Sequence, residues 1–334
     1  MQTDEITCGS KGPVAEMSID ETQHPASERS VSEAPSDTDV SLYDEGDFES
    51  FMDNYSHLDI LKTGTMDFFS SALELSSTAS CDERANHFIE RVSKAVVTEL
   101  SKEDRGRFPK EFEEALMYIA SAFPRRSSEQ DVLVKAIALL QGAKETDEAQ
   151  EWKNLRTLGS SMEDAFLLYP TLNLNHGQPK LFTDFGWVNF NSFCARRYGS
   201  YDDDLGIDAL RELRSGLEIP IDSDPKGGPI ADTRIRVAIV WIAESAPRLL
   251  RESCLSTYSG NHECLTGPLT VSKGGFNLER WSFWKRRFGE IRDEVKDIVD
   301  DDLRLMTDVA IEHMTRAEKE LGSMVKPIVN GVAI

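Results

Sequence analysis

Downstream of Ser80 the bulky apolar side chains recur every three or four residues, the spacing that places them on one face of an α-helix. Ala85, Phe88, Ile89, Val92, Val96 and Leu100 form the first such stripe, opened by the capping box Ser80-Cys81-Asp82-Glu83. The pattern decays near Gly106. A second helix is predicted from Pro109, a residue suited to a first helical turn, with Phe112, Leu116, Ile119 and Phe123 on its inner face and Pro124 as its stop. Ser128 opens a third, whose core face is Leu133, Ala136, Ile137 and Leu140. Trp152, Leu155 and Leu158 continue the pattern, and Ser160-Ser161-Met162-Glu163 is another capping box, leading to Phe166. Residues 170–186 are rich in turn formers and read as a loop. Helices are then predicted at Trp187–Tyr198, Ile207–Leu217 and Asp232–Leu250, with a kink at Pro247. A second long loop spans Ser253–Phe276. Two helices follow, one with the stripe Leu278, Trp281, Trp284, Phe288 and Ile291. The other, the longest, carries Val295, Ile298, Val299, Met306, Val309, Ala310, His313, Ala317 and Leu321 and frays after Gly322. Nothing alternates with the period of a strand. The expected fold is all-α: an irregular multi-helix bundle, with no sheet, packing its stripes ridge into groove.

The N-terminal part has a different character. Residues 1–38 are Ser, Thr, Glu, Asp and Pro with scattered apolar residues, too little apolar surface to offset the entropy of ordering the backbone. From Asp39 to Leu61 acidic residues interleave with bulky apolar ones, and Phe48, Phe51, Met52 and Tyr55 share a helical face. The expected organisation is a disordered acidic tail over 1–60, with a short helix at 47–61 as one reading, and a single helical domain over 61–334.

Charge sharpens that division. The chain carries a formal net charge of -22 over 334 residues, and residues 1–60 hold fifteen acids against two bases. An acidic surface repels phosphate backbones and anionic headgroups, so neither nucleic acid nor membrane is an expected partner. No apolar run reaches the ~18 residues of a membrane span, and the N-terminus lacks a signal peptide's apolar stretch. Five widely spaced cysteines without a CxxC point to a reducing compartment, hence the cytoplasm, with the nucleus as the alternative.

Four stretches carry a resemblance. They are Trp187-Val188-Asn189-Phe190-Asn191-Ser192-Phe193-Cys194-Ala195-Arg196, then Ala209–Glu218, then Ala238–Ile242, and Gly275–Phe288 with its two tryptophans beside Lys285-Arg286-Arg287. In this order, over roughly residues 80–320, the chain resembles a helical domain-of-unknown-function family of filamentous fungi. The resemblance implies a helical fold and a fungal, intracellular origin. It implies no reaction, ligand or catalytic residue.

Several constellations have a chemical and a structural reading. Arg280, Trp281, Trp284, Lys285, Arg286 and Arg287 are either a patch for an acidic partner or phosphate, or an amphipathic helix with core tryptophans and solvated bases. A variant has this basic face holding the chain's own acidic tail. Asn189, Asn191 and Arg196, with Trp187 on the same helix, either line a pocket between helices or bond the backbone of the preceding loop. Cys254, His262 and Cys264, spaced C-x7-H-x-C, fall one ligand short of a zinc site. Asp222–Thr233 opens like a calcium loop but has Lys226 at position five and Thr233 at position twelve. Asp202-Asp203-Asp204 and Asp300-Asp301-Asp302 diverge around a helix, so neither holds one ion, and Asp204 is the expected N-cap of the Ile207 helix. No GxSxG, HExxH, P-loop or GxGxxG is present, and the six histidines are isolated. No catalytic residue, cofactor or metal is therefore assigned. The first functional expectation is a non-enzymatic protein-interaction or regulatory scaffold with an unidentified protein partner. The alternatives are an enzyme or small-molecule binder with a pocket between helices, and a transcriptional regulator acting through residues 39–61.

Overall fold

Among the described residues, periodicity at 3.6 residues becomes helix. The structure, a computed structural model, describes residues 79–98, 101–142, 162, 165, 166, 182–201, 204–222, 231–294 and 301–329. The expected disordered tail, the helix at 47–61, the calcium-like loop beyond Asp222 and the Trp152 stripe lie outside them. Among the described residues there are eight α-helices and no strand: α1 Cys81–Thr98, α2 Lys102–Ala122, α3 Ser128–Gly142, α4 Asp184–Ser200, α5 Gly206–Leu217, α6 Ala231–Leu255, α7 Leu278–Glu294 and α8 Asp301–Val329, with a 3-10 turn at His262–Cys264.

The ends follow local chemistry. Ser80 and Glu83 form the expected reciprocal box: the Ser80 amide donates to Glu83 Oε2 at 2.8 Å and the Glu83 amide to Ser80 Oγ at 3.3 Å. Thr183 caps α4 by accepting from the Gly186 amide at 2.9 Å, so the helix starts three residues before Trp187. Asp204 does not cap α5; Leu205 occupies the N-cap position without a side-chain bond, and Asp204 accepts instead from the Tyr258 hydroxyl.

Two boundaries correct the sequence reading. α2 begins at Lys102, so Pro109 is its eighth residue and not in its first turn. The apolar stripe explains this: Phe108 is buried and its ring lies 5.7 Å from that of Phe112, extending the inner face one turn back. At the other end, α8 continues past Gly322 to Val329.

α6 is the central rod. It packs against α4, α5, α7 and α8, while α2 packs on α4, α1 on α3 and α7 on α8. Fifteen of its residues are buried, including Trp241 and the run Thr233–Ile242. Pro247 sits inside α6 and has no N–H for the carbonyl of Ala243, four residues back. The half-buried His313 of α8 lies beside that carbonyl, which favours its protonated form against the larger opposing effect of burial.

Candidate interaction surface

Glu218 ends α5 as its C-cap, where the helix dipole disfavours a negative charge. Its side chain is fully buried, as is that of Arg280, 62 residues on, in the first turn of α7. Asn277 starts that turn by accepting from the Arg280 amide at 2.8 Å. Two charges out of water cost more than their attraction returns unless every remaining lone pair and proton is bonded. Here all are. Glu218 Oε1 accepts from Arg280 Nε at 2.5 Å and from the Trp284 indole N–H at 2.7 Å. Its Oε2 accepts from the Gly267 amide at 2.7 Å and from Arg280 Nη2 at 3.1 Å. Arg280 Nη1 donates to the carbonyls of Cys264 at 3.1 Å and Gly275 at 3.0 Å, and Nη2 also donates to that of Leu265 at 3.4 Å. The four acceptor sites of the carboxylate and the five donors of the guanidinium are all used.

The partners of this pair identify its task. Besides Trp284 they are backbone groups of the segment joining α6 to α7, residues 256–277, which is clamped from both sides of its path. Backbone bonds close it further: Leu269 N–H to Glu218 O at 3.1 Å, Gly275 N–H to Cys264 O at 2.9 Å, and Phe276 N–H to Thr257 O at 2.9 Å. Gly275 has φ +76°, and a Cβ there would meet the Thr257 carbonyl oxygen at 2.6 Å. A Cβ on Gly267 would meet the Glu218 carbonyl oxygen at 2.5 Å, so the chain passes too close for any other residue. Tyr258 takes φ 54°, strained for an aromatic residue. Its ring packs on Phe276, and burial with Asp204 beside it pushes its hydroxyl well above the usual phenol range.

What the clamp holds outward is apolar. Among the described residues, nine large hydrophobic side chains are exposed, and five of them, Leu255, Leu265, Leu269, Val271 and Leu278, fall within 24 consecutive residues. Val271 is wholly in solvent at 105% relative exposure. Leu278 at 51% corrects the expected α7 stripe, whose buried members are Trp281, Trp284, Phe288 and Ile291. Over residues 255–278 the charged side chains are one acid, Glu263, and one base, Lys273, with His262 beside them.

The residues singled out from sequence fall in three places. Arg280 and Trp284 belong to the clamp. Trp281 donates its indole N–H to Glu318 Oε1 at 2.9 Å, and Lys285 pairs with Glu318 Oε2 at 2.6 Å, both tying α7 to α8. Arg286 lies over the Phe283 ring and shares Glu290 with Arg287, so Lys285, Arg286 and Arg287 each have an acid beside them, two acids for three bases. On α4, Trp187 packs edge-on against Phe166 and beside Phe182 and Phe190. Asn191 Oδ1 accepts from the Trp241 indole N–H at 2.8 Å, joining α4 to α6. Asn189 accepts from the Arg125 amide at 3.0 Å and donates to Ser121 O at 3.1 Å, fixing the α2–α3 turn. Arg196 pairs with Asp131 and with Glu244 and donates to the Arg125 carbonyl.

Glu218 escaped the sequence reading. Its one signal is a glutamate at a helix C-terminus, the end where acids are least favoured. Glu212, on the buried face of α5, escaped it too. Burial pushes its carboxyl up to about 8, against the opposing pull of Arg211 and the Trp187 indole.

Cys264 is buried with its thiol pushed up by burial, while Cys254 and His262 are exposed. Among the described residues no three His, Cys, Asp or Glu side chains are grouped to hold a metal ion, and no helix is long and apolar enough to cross a membrane. Residues 113–288, from α2 to α7 and including the whole clamp, match a family described as a protein of unknown function (DUF3632). No curated protein and no solved structure matches the chain.

Proposed function

The chain belongs to the DUF3632 family of proteins of unknown function, and from that premise we propose that it is a non-enzymatic interaction protein whose binding surface is the clamped loop between α6 and α7. The observation that carries this reading is the pairing of a saturated internal network with an apolar exterior. Apart from the Trp284 indole and the bonds between them, Glu218 and Arg280 spend their hydrogen bonds on holding one loop, and that loop turns Leu265, Leu269 and Val271 to solvent. A rigid apolar surface poor in charge has the composition of an interface centre, and a loop fixed in advance loses little entropy on binding. The Trp187, Asn191 and Trp241 region supports the same reading. The Asn191 amide accepts from the Trp241 indole and donates to the Trp187 backbone carbonyl, so it bonds within the helices and does not face a cavity.

The test is quantitative affinity capture of cross-linked partners by the full chain and by Val271→Asp. Because Val271 touches little of the protein, the variant keeps its helical circular dichroism and melting temperature. Loss of one or more captured species from the variant is the expected result. An identical set of partners for both proteins would end this reading.

A further inference from the structure

Resting on the interaction reading, we infer that the clamped loop, residues 255–278, is a self-association surface whose occupant is the same loop of a second copy of this chain.

Charge selects the occupant. A chain of net charge -22 repels its own copies, and it does so least where its surface is neutral. Residues 255–278 balance Glu263 against Lys273. An acidic occupant, including the chain's own residues 39–61, finds no net charge to attract it there. α7 offers little more, since Lys285 pairs with Glu318 while Arg286 and Arg287 share Glu290, leaving one positive charge in excess. A strongly basic partner is equally unmatched by a loop with one carboxylate. What remains complementary to an apolar, neutral surface is another apolar, neutral surface, and the loop itself is one.

Size and symmetry agree. A stable interface takes roughly 20–30 residues from each side, and of the 24 residues from Leu255 to Leu278 twenty are wholly or partly exposed, which puts the loop at the lower edge of that range. A twofold contact uses the same patch on both copies, so one patch suffices and the assembly closes as a dimer. The backbone bonds Gly275 to Cys264 and Phe276 to Thr257 bring the stretches bearing Leu255, Leu265 and Leu278 together, so the exposed side chains are mounted on one stiff unit. No conformational change is needed for two such units to meet.

The sign of the salt dependence separates this from docking by charge. Screening the mutual repulsion of two acidic chains strengthens a dimer built on apolar contact, whereas it weakens any contact built on opposite charges. Sedimentation equilibrium of the full chain from about 1 to 200 µM, at 50 and 500 mM NaCl, reads it directly. The expected result is a mass rising from one chain to two with concentration. The association constant should increase at least threefold at the higher salt and fall at least tenfold in Leu265→Asp and in Val271→Asp. A mass of one chain throughout overturns the inference, as does a dimer indifferent to both substitutions or one that salt dissolves. A cross-link from the loop to residues 39–61 within a single chain overturns it in favour of that segment. If the chain is monomeric yet Val271→Asp still loses a captured partner, the interaction reading stands and only the identity of the occupant is wrong.

Discussion

Glu212 occupies a medium that suits a neutral acid. The side chain is 2% exposed, its Oε2 meets no hydrogen-bonding partner among the described residues, and its carboxyl is pushed up to about 8, chiefly by burial. In the unfolded chain the same group ionises near 4.5. A carboxyl whose folded value is raised binds its proton more tightly in the native state. Its contribution to stability is therefore complete below about 4.5 and is lost as pH rises through about 8. The loss is on the order of 4 kcal/mol at the alkaline end. Glu212→Gln keeps the shape and the proton-like donor but cannot ionise. Urea unfolding at pH 5 and pH 8.5 should show a wild type markedly less stable at the higher pH. The glutamine variant should nearly lose that difference and be the more stable protein at pH 8.5. Equal pH dependence in the two would place the titration elsewhere.

At the scale of the element, α6 and α8 are joined through a defect. Pro247 leaves the Ala243 carbonyl without its helical donor, and the imidazole of His313, held below the usual range chiefly by burial, lies beside it where it could donate. One hydrogen bond of this kind contributes ~0.5–1.5 kcal/mol. His313→Ala should cost about that much in the native chain and much less in Pro247→Ala, where the restored backbone N–H serves the carbonyl instead. A double-mutant cycle by urea unfolding measures the coupling, and additive effects would break the link between the two residues. Such pairings mark the limit of what the pattern of residues discloses. The stripes of α1 and α3, the helices α5 and α6 and the capping box at Ser80 were legible because they depend on spacing within one helix. Phe108, four residues before Phe112 on the same inner face, extends α2 back beyond the start expected at Pro109, and Leu278, the first residue of α7, lies exposed off its stripe. Arg280 and Trp284 could be singled out as chemistry-bearing, but Glu218 lies more than sixty residues away, and no local period relates a C-cap to the helix it will meet. Nor could the loop be read as rigid: Gly260, Gly267, Gly274 and Gly275 suggest looseness in sequence, whereas Gly267 and Gly275 are there because backbone passes against backbone.

For the whole molecule, charge acts in two registers that salt can separate. The excess of 59 acids over 37 bases is a long-range repulsion that compaction increases. Exposed charges more than ~8–10 Å apart cease to feel one another in 0.1–0.15 M salt. The melting temperature of the full chain should thus climb by several degrees between 10 and 300 mM NaCl, as differential scanning calorimetry would record. The Glu218–Arg280 pair is the opposite case, since neither side chain touches solvent and no ion can come between them. Arg280→Lys keeps the charge but cannot serve both carboxylate oxygens and three carbonyls at once, and it leaves buried acceptors unmet. Breaking such a pair costs roughly 3–5 kcal/mol when one partner is removed outright, and the lysine variant should lose a large part of that. Because the loss arises where salt does not penetrate, the difference in melting temperature between wild type and Arg280→Lys should be the same at 10 and 300 mM NaCl, even as both values rise. A gap that closes with salt would mean the pair is solvated, and the clamp on the 256–277 loop would then be far looser than its bonding implies.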